Sequence, residues 1–535
     1  MESANAALPD LDRLNLAELK SLLREQHAEL ITKDAQLLSY SVEIETLKLQ
    51  ILKLRRMQFG NKSEKRAQQI EQLELWVEEL ESAEAQRSCE LTEQAGTTRT
   101  PSAPKQRRAF PAHLPRETQT IAPQQSRCPG CDGELKHLGE DVTEILELEP
   151  VRFKVIRQVR TKLACAHCDT IVQAPAPTRP IERGMAGPGL LAHVLVGKYA
   201  DHLPLYRQAE IYAREGVELD RTLLAQWVGN INALLTPLTE ALRAHVFSAE
   251  VVHADDTPIP VLAPGRGKTK TGRLWTYVRD ERPAAGEAAP AVWFAYTPDR
   301  KGEHPQRHLA DFTGVLQADG YAGYSKLYDG GRVREAACWA HVRRKFVDLH
   351  ELHQSPVAGQ MLDRIGALYA IEQAIRGRPP DERRAVRRER SRPALDAMHG
   401  WLQATLATLS QKSAMAKAIR YALTRWDALI RYCDDGRIEI DNNAAERALR
   451  CVALGRKNFL FAGSDAGGER AAAIYSLLGS AKLNGYNPEA FLREVLTRIA
   501  DHPINQIAEL LPWNLKAHAT PLTADDATTN LLLQS

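Results

Sequence analysis

Apolar residues recur every seventh place through the first fifty positions. Leu16, Leu23, Leu30, Leu37, Ile44 and Ile51 form one series, and Leu19, Gln26, Lys33, Tyr40, Leu47 and Leu54 stand three places further on. A seam of 3.5-residue period, sustained for roughly six heptads, predicts a supercoiling helix over residues 11–56. The length of the repeat favours self-association, a coiled coil with a second copy of the chain, over the ordinary alternative of a single helix packed on its own protein. Gln26 and Lys33 weaken the seam and help to set its register. The helix yields at Phe59-Gly60-Asn61-Lys62-Ser63, and a shorter helical pattern covers Ile70–Leu80. From Ser88 to Arg108 periodicity gives way to Thr, Ser, Pro, Gln and Arg, the composition of a linker. It is locally basic at Lys105, Arg107 and Arg108, which reads either as a nucleic-acid contact or as a solvated tail.

The period then changes. Val142–Leu148 and Phe153–Leu163 partly alternate and predict strands. Residues 189–245 return to helical spacing: Leu203–Glu215, a turn through Gly216-Val217-Glu218-Leu219-Asp220, and a second helix over Arg221–Leu235. Asp220 or Thr222 can cap that second helix. The pair reads as a helix-turn-helix or as an ordinary helical hairpin. Next come strand-like runs at Val251–Thr257, Arg273–Arg279 and Ala291–Tyr296, a helical run at Gly302–Phe312, and strands at Gly314–Gly320 and Arg334–Cys338. A long helical stretch runs on to about Arg431, interrupted near Pro379-Pro380. Its arginines, Arg383, Arg384, Arg387, Arg388 and Arg390, read as a solvated face. Asp441-Asn442-Asn443 then caps a helix presenting Glu446, Arg447 and Arg450.

A length of 535 residues exceeds one domain, and 44% hydrophobic with 26% charged residues is an ordinary soluble composition. The net charge of +2 identifies no partner, so any nucleic-acid argument rests on local basic clusters. The N-terminus lacks the apolar core of a leader, and no apolar run is long enough to span a bilayer; the expectation is a cytoplasmic, nucleoid-associated protein with no membrane partner. Eight cysteines are few for this length, and four fall in two knuckles, Cys128-Pro129-Gly130-Cys131 and Cys165-Ala166-His167-Cys168. That pattern favours one tetrahedral structural Zn²⁺ over a disulfide framework. His167 lies inside the second knuckle but is not needed as a ligand.

Two strand-like runs end in carboxylates, at Asp255-Asp256 and Asp319. Three strands, a helix and a fourth strand is the order by which an RNase H-like fold sets two aspartates side by side to hold divalent metal ions for attack on a phosphodiester. Only one of Asp255 and Asp256 can face such a site, because neighbours in a strand point to opposite faces. Asp255 is the choice, with Asp256 left for a turn cap or a supporting contact. Glu446 is the third carboxylate, with a surface pair to Arg450 as its ordinary alternative.

As a group these residues resemble the transposases of the insertion-sequence 66 family, over nearly the whole chain. Phe59-Gly60-x-Lys62-Ser63-Glu64-Lys65 resembles the signature after the family's leucine-rich N-terminus. Leu114-Pro115-Arg116-Glu117 with the two knuckles resembles its zinc-binding segment, and the run from Tyr199 to Gln208 begins its helical DNA-binding region. His253-Ala254-Asp255, Ala318-Asp319-Gly320-Tyr321 and Asp441-Asn442-Asn443-x-x-Glu446-Arg447 resemble its three acidic motifs. The segments from Gly463 to Ala471 and from Leu510 to Trp513 resemble its C-terminal blocks. Asp256 stands where the family usually has Glu, and Cys451 where it usually has Pro; the first leaves open whether Asp255 or Asp256 is the first metal ligand.

The resemblance implies a DDE transposase that cuts DNA at its element's ends and joins them to target DNA. Asp255, Asp319 and Glu446 would hold two Mg²⁺ or Mn²⁺ ions, and Cys128, Cys131, Cys165 and Cys168 a structural Zn²⁺. His341, Arg343, Arg344, Arg447 and Arg456 would steady DNA phosphates. Its partners would be the terminal inverted repeats, target DNA, a second copy through the coiled coil, and accessory proteins of the same element. The expected class is multidomain α/β plus α: a leucine-rich coiled coil (1–60), a short helix and basic linker (61–120), a zinc ribbon-like segment (121–180), a helix-turn-helix-like DNA-binding region (181–245), an RNase H-like catalytic core (246–485) with an all-helical insertion at about 345–435, and a C-terminal segment (486–535). The competing readings are a junction-resolving nuclease with the same acidic trio and a non-catalytic DNA-binding regulator.

Overall fold

The computed structural model describes residues 109–149, 152–263, 268–458 and 462–515, and, nearer the N-terminus, Lys20, Tyr40, 42–48, 50–51, Leu73 and 76–87. Leu16, Leu19, Leu23, Gln26, Leu30, Lys33, Leu37 and Leu54 of the heptad seam, and the 88–108 linker, lie outside the described residues.

A four-stranded sheet comes first: β1 (Arg116–Ile121), β2 (Leu135–Glu149), β3 (Arg152–Cys165) and β4 (Ile171–Gln173). β3 is central, with β2 and β4 antiparallel to it and β1 parallel. The β2–β3 hairpin is long, and its register sets Leu135 opposite Cys165, which carries both cysteine knuckles to one end. At the other end Leu146, Leu148, Phe153 and Val155 enter the main core. Glu147 also docks there. Its Oε1 accepts the N–H of Leu190 at 2.7 Å, in the first turn of α1 (Pro188–Tyr199). A carboxylate from the hairpin thus satisfies a helix terminus that has no side-chain cap of its own.

α2 (Leu205–Arg214) and α3 (Arg221–Phe247) follow. Asp220 caps α3, its Oδ1 accepting from Thr222 N–H at 2.8 Å. α3 runs past the expected Leu235 and through Pro237, because Leu235, Leu238, Leu242 and Val246 prolong its buried stripe.

The main sheet has strand order β7-β6-β5-β8-β9, from β5 (Val251–Ala263), β6 (Lys268–Arg279), β7 (Ala291–Thr297), β8 (Gly314–Ala318) and β9 (Val333–Ala337). β5, β6 and β7 are antiparallel neighbours, whereas β8 and β9 run parallel to β5. The helix between β7 and β8 is shorter than expected, α4 (Glu303–His308). After β9 come α5 (Trp339–His353), α6 (Pro356–Ile375), α7 (Pro380–Val386), α8 (Arg392–Ala407), α9 (Ala414–Leu423) and α10 (Trp426–Ile430), with the break between α6 and α7 at the expected prolines. They form their own core around Phe346, Met361, Ile365, Leu368 and Leu402, which reaches the sheet at Val251 and Val315. The chain returns with α11 (Asn443–Ala448), α12 (Arg450–Asn458), α13 (Asp465–Leu483) and α14 (Pro488–Arg498).

β7 is an edge strand, yet all seven of its residues are buried. α13 covers it: Ser480 Oγ accepts from Val292 N–H, and Ser476 Oγ accepts from Phe294 N–H at 2.8 Å. Two serines one turn apart therefore satisfy the backbone that an open edge would expose.

The arginine run is not a uniform solvated face. Arg383 and Arg387 are buried, and both pair with Glu372. Arg383 also meets Glu439, and Arg387 donates to the Tyr432 and Asp435 carbonyls. Spacing of i,i+4 turns these two inward, while Arg384, Arg388 and Arg390 stay exposed.

The helix over 76–87 is bolted to the core by ionic contacts. Glu78, fully buried, pairs with the buried Lys198, and its other oxygen accepts from Leu205 N–H at 3.0 Å. Glu79 pairs with Arg470 at 2.8 Å, and Glu81 accepts from Thr222 Oγ1 at 2.9 Å. Gly229 lets the helices approach: a Cβ there would stand 2.2 Å from the Ser82 carbonyl. On its other side this helix buries Val77 and Leu80 with Ile44, Leu47 and Ile51. The described end of the heptad seam is therefore filled from within the chain.

Candidate functional site

Asp255 stands on β5 opposite Thr276, just past the last β5–β8 pair, His253 with Gln317. Asp319 directly follows β8. Parallel neighbours thus bring Asp255, within β5, beside Asp319 at the C-terminal end of β8. The turn after Asp319 needs Gly320, at φ +79°, where a Cβ would stand 2.5 Å from Arg425 Nε. Tyr321 N–H donates to Asp319 Oδ1 at 3.0 Å.

The paired aspartates differ sharply in surroundings. The Asp256 side chain is buried and already partnered: Arg273 reaches Oδ2 at 2.9 Å, and Arg300 reaches Oδ1 through Nε at 3.0 Å and Nη2 at 2.7 Å. Among the described residues no such cation pairs with Asp255. Burial pushes its carboxyl up to about 7; the Asp256 N–H counters this, while the charges of Asp319, Asp256 and Glu446 raise it further.

Glu446 lies in the first turn of α11. That helix start is fixed by Asn442, which is fully buried and does not cap it. Asn442 Nδ2 donates to the Ala254 carbonyl at 2.8 Å, its Oδ1 accepts from His253 Nδ1 at 3.1 Å, and its N–H meets Cys338 Sγ at 3.1 Å. Asp441 does the capping, accepting from Asn443 N–H at 3.1 Å. α11 is thereby bolted to β5 one residue from Asp255. Glu446 has two basic neighbours on α5. Its carboxylate lies 3.8 Å from His341 Nε2 and 3.7 Å from Arg344 Nη2, and its buried Oε1 accepts no hydrogen bond from the described residues.

Of the other expected DNA-contacting residues, Arg343 is exposed on α5 beside Arg344. Arg447 turns away from Glu446 and lines a 440 Å³ cavity with His253, Tyr369, Glu372, Arg383 and Asp441. The Arg456 side chain lies outside the described residues. Asn442 and Arg300 escaped the sequence reading. Asn442 sits in a quoted motif but looks like a cap, and Arg300 reaches Asp256 across 44 positions with no local signal.

At the hairpin tip the thiols of Cys128, Cys131, Cys165 and Cys168 all lie within 4.8 Å of one another. Cys131 is 3.4 Å from Cys165 and 3.3 Å from Cys168. Hydrogen bonds from Thr170 bring the Cys168 thiol down to about 6, while sharing a proton with Cys168 pushes Cys131 up to about 12. Four soft donors so gathered fit a structural Zn²⁺. His167 stays outside the set; its N–H approaches Cys165 Sγ at 3.4 Å. Among the described residues no other group of three or more ligands gathers within that distance, so the acidic trio is more open than the thiol cage.

Comparison with known proteins agrees with this layout. Residues 183–470 match the model of the transposase IS66 family, and residues 125–169 the zinc-finger binding domain of transposase IS66. Residues 46–118 match a model described as transposase C of IS166 homeodomain, and 476–513 the IS66 C-terminal element. Among curated relatives, the uncharacterised Sinorhizobium fredii protein y4hP is 43% identical over 88% of this chain and 89% of its own length. A second, y4qI, is 39% identical over 96% and 99%, and a third, y4jD, 42% identical over 76% and 82%. None of the helices in the described residues is long and apolar enough to cross a membrane.

Proposed function

The chain belongs to the IS66 family of transposases, whose business is DNA transposition, and from that premise we propose that it is a DDE enzyme that cuts DNA at its element's ends and joins them to target DNA. The observation that carries this reading is that Asp255, within β5, feels the charges of Asp319, just past the end of the parallel neighbour β8, and of Glu446, on a bolted helix. The strand order, with β5, β6 and β7 antiparallel and β8 and β9 parallel to β5, supports an RNase H-like core. The helices from α5 to α10 are its insertion.

The trio suits Mg²⁺ or Mn²⁺, two per site. All donors are carboxylate oxygens, burial and the neighbouring carboxylates raise Asp255, and Glu446 Oε1 is buried and accepts no hydrogen bond from the described residues. Ions held there would activate an attacking water and stabilise the leaving 3′ oxygen. The chain's own residues prepare this. Asp255 would hold a cation as the ionised carboxylate. The Tyr321 N–H holds Asp319 in orientation, and Asn442 sets the distance from Glu446 to β5. Asp256, saturated by two arginines, is left out of the ligand set. In strand transfer a freed 3′-OH replaces the water, and no covalent protein–DNA intermediate forms. The proposed partners are the terminal inverted repeats, target DNA and a second copy of the chain, acting at the nucleoid.

The test is Mg²⁺- or Mn²⁺-dependent cleavage of a labelled element end, followed by joining to a plasmid. Asp255→Asn, Asp319→Asn and Glu446→Gln should each lower cleavage by at least about a thousandfold, because each removes a ligand charge and keeps the shape. Asp441→Asn should be mild, since Asn also accepts the Asn443 N–H and a lost cap costs only about 1 kcal/mol. Active Glu446→Gln with dead Asp441→Asn would transfer the third role to Asp441. Cutting without joining by the wild type would point to a junction-resolving nuclease.

A further inference from the structure

Two arginines hold the turn that carries Asp319, and each lies on a tyrosine ring. The Arg300 guanidinium is 4.2 Å from the Tyr321 ring centre, and that of Arg425 is 4.3 Å from the Tyr421 ring centre. Both tyrosines also hold Asp319. Tyr321 donates its N–H to the Asp319 carboxylate and its hydroxyl to the Arg300 carbonyl. Tyr421 donates its hydroxyl to the Asp319 carbonyl at 3.1 Å. The arginines touch the same turn: Arg300 Nη2 is 3.9 Å from Asp319 Oδ2, and Arg425 Nη2 is 3.3 Å from the Gly320 carbonyl. Lys345 adds a third cation, 4.3 Å from the Tyr421 ring centre.

Arg300 comes from the loop after β7, whereas Lys345, Tyr421 and Arg425 belong to the helical insertion. Asp256 orients Arg300 by taking Nε and Nη2, and Nη1 donates to none of the described residues. The Arg300 side chain stays 37% exposed although its partner Asp256 is only 2% exposed, so a guanidinium with a buried anchor remains reachable from solvent. A guanidinium stacked on an aromatic face lies parallel to the ring, so the N–H groups not already donated, those of Arg300 Nη1 among them, point sideways toward an oxyanion rather than into the ring. Held this way it loses little side-chain entropy on binding. Neither arginine is needed to neutralise the acidic trio if that trio holds cations.

Resting on the transposase reading, we propose that Arg300 and Arg425 bind the DNA phosphates next to the reactive one, so that the strand is threaded past Asp319 between the sheet and the helical insertion. The adjacent aspartates then have separate tasks: Asp255 belongs to the reacting centre, and Asp256 aims Arg300. The insertion supplies the second half of a phosphate grip.

The experiment uses the full chain and an oligonucleotide of its element end. Binding is followed by fluorescence anisotropy across a salt series, and cleavage is measured in parallel. Removing one cation that pairs with a phosphate should make the slope of log affinity against log salt shallower by about 1. Arg300→Gln and Arg425→Gln should each show that change and slow cleavage roughly tenfold. Arg300→Lys, which keeps the charge and lets the fold be checked independently, should retain the slope while cleaving more slowly, because a point charge replaces the fork. Tyr421→Phe, which keeps the ring under Arg425, should retain the slope. If both Gln variants are folded, cleave more slowly and keep the wild-type slope, the arginines merely brace the Asp319 turn and the proposal is overturned. If Arg300→Lys matches the wild type in rate, the fork has no role and the proposal is overturned. A wild type that binds and cleaves its element ends keeps the transposase reading standing in either case; a wild type that does neither removes both.

Discussion

Asp255 and Asp256 are chemically identical neighbours with opposite fates. Strand alternation sends one toward Asp319 and Glu446 and the other toward Arg273 and Arg300. The apolar run before them made the strand legible but not its length: β5 does not end at the carboxylates as expected and continues to Ala263, because residues 255–263 stay paired with β6. Their division of labour was not legible, because Arg300 arrives from another loop. The same non-local logic governs His308. It is buried in the aromatic layer beneath the sheet, with Nδ1 3.0 Å from the Tyr277 hydroxyl, and burial brings it down to about 3. The unfolded chain takes up a proton near pH 6.5, so stability tied to this residue is present above that pH and is lost as pH falls toward 3. The expected loss is about 1.4 kcal/mol per pH unit. Denaturant midpoints at pH 7, 6 and 5 should therefore fall less steeply in His308→Gln than in the wild type, and parallel slopes would refute the assignment.

The β2–β3 hairpin is held at its two ends by different means. Near Leu146 and Phe153 it is packed into the main core and tied to α1 by Glu147. At the far end the four cysteines take over, with few apolar neighbours; Leu138 and Val142 are exposed. Metal analysis should find about one zinc per chain. Removing it with a chelator, or substituting Cys131→Ser, should raise amide exchange at least about tenfold in residues 128–139 and 162–171 while residues 145–155 stay protected. Equal exchange along the whole hairpin, with and without metal, would contradict a structural zinc. The knuckles were readable from spacing alone, since a thiolate pair needs only a short turn. The buried Arg383 and Arg387 were not, because charge runs usually face water and only Glu372 and Glu439, from neighbouring segments, make their burial tolerable.

The protein as a whole is organised around joining. The zinc hairpin, the helices α1 to α3, the sheet and the C-terminal helices share one core, and the insertion builds a second beside it. The helix over 76–87 ties the N-terminal segment to that body through Glu78, Glu79 and Glu81. We expect the N-terminal helix to bring two copies, and so two DNA ends, together. Deleting residues 1–56 should lower the mass measured by light scattering to about half, while these glutamates keep the 76–87 helix docked and the body folded. An unchanged mass would assign the heptad seam to contacts within one chain, as Ile44, Leu47 and Ile51 already are. The amino-acid sequence by itself determined most of the strands and helices of the described body, the paired cysteine knuckles and the family, because these depend on periodicity and short spacing. Tertiary structure alone decided which aspartate faces the trio, that Asn442 bolts rather than caps, that Ser476 and Ser480 close the β7 edge, and that Arg300 and Arg425 meet at Asp319. Those contacts join residues from 17 to nearly 190 positions apart, where the chain's local pattern carries no record of the partner.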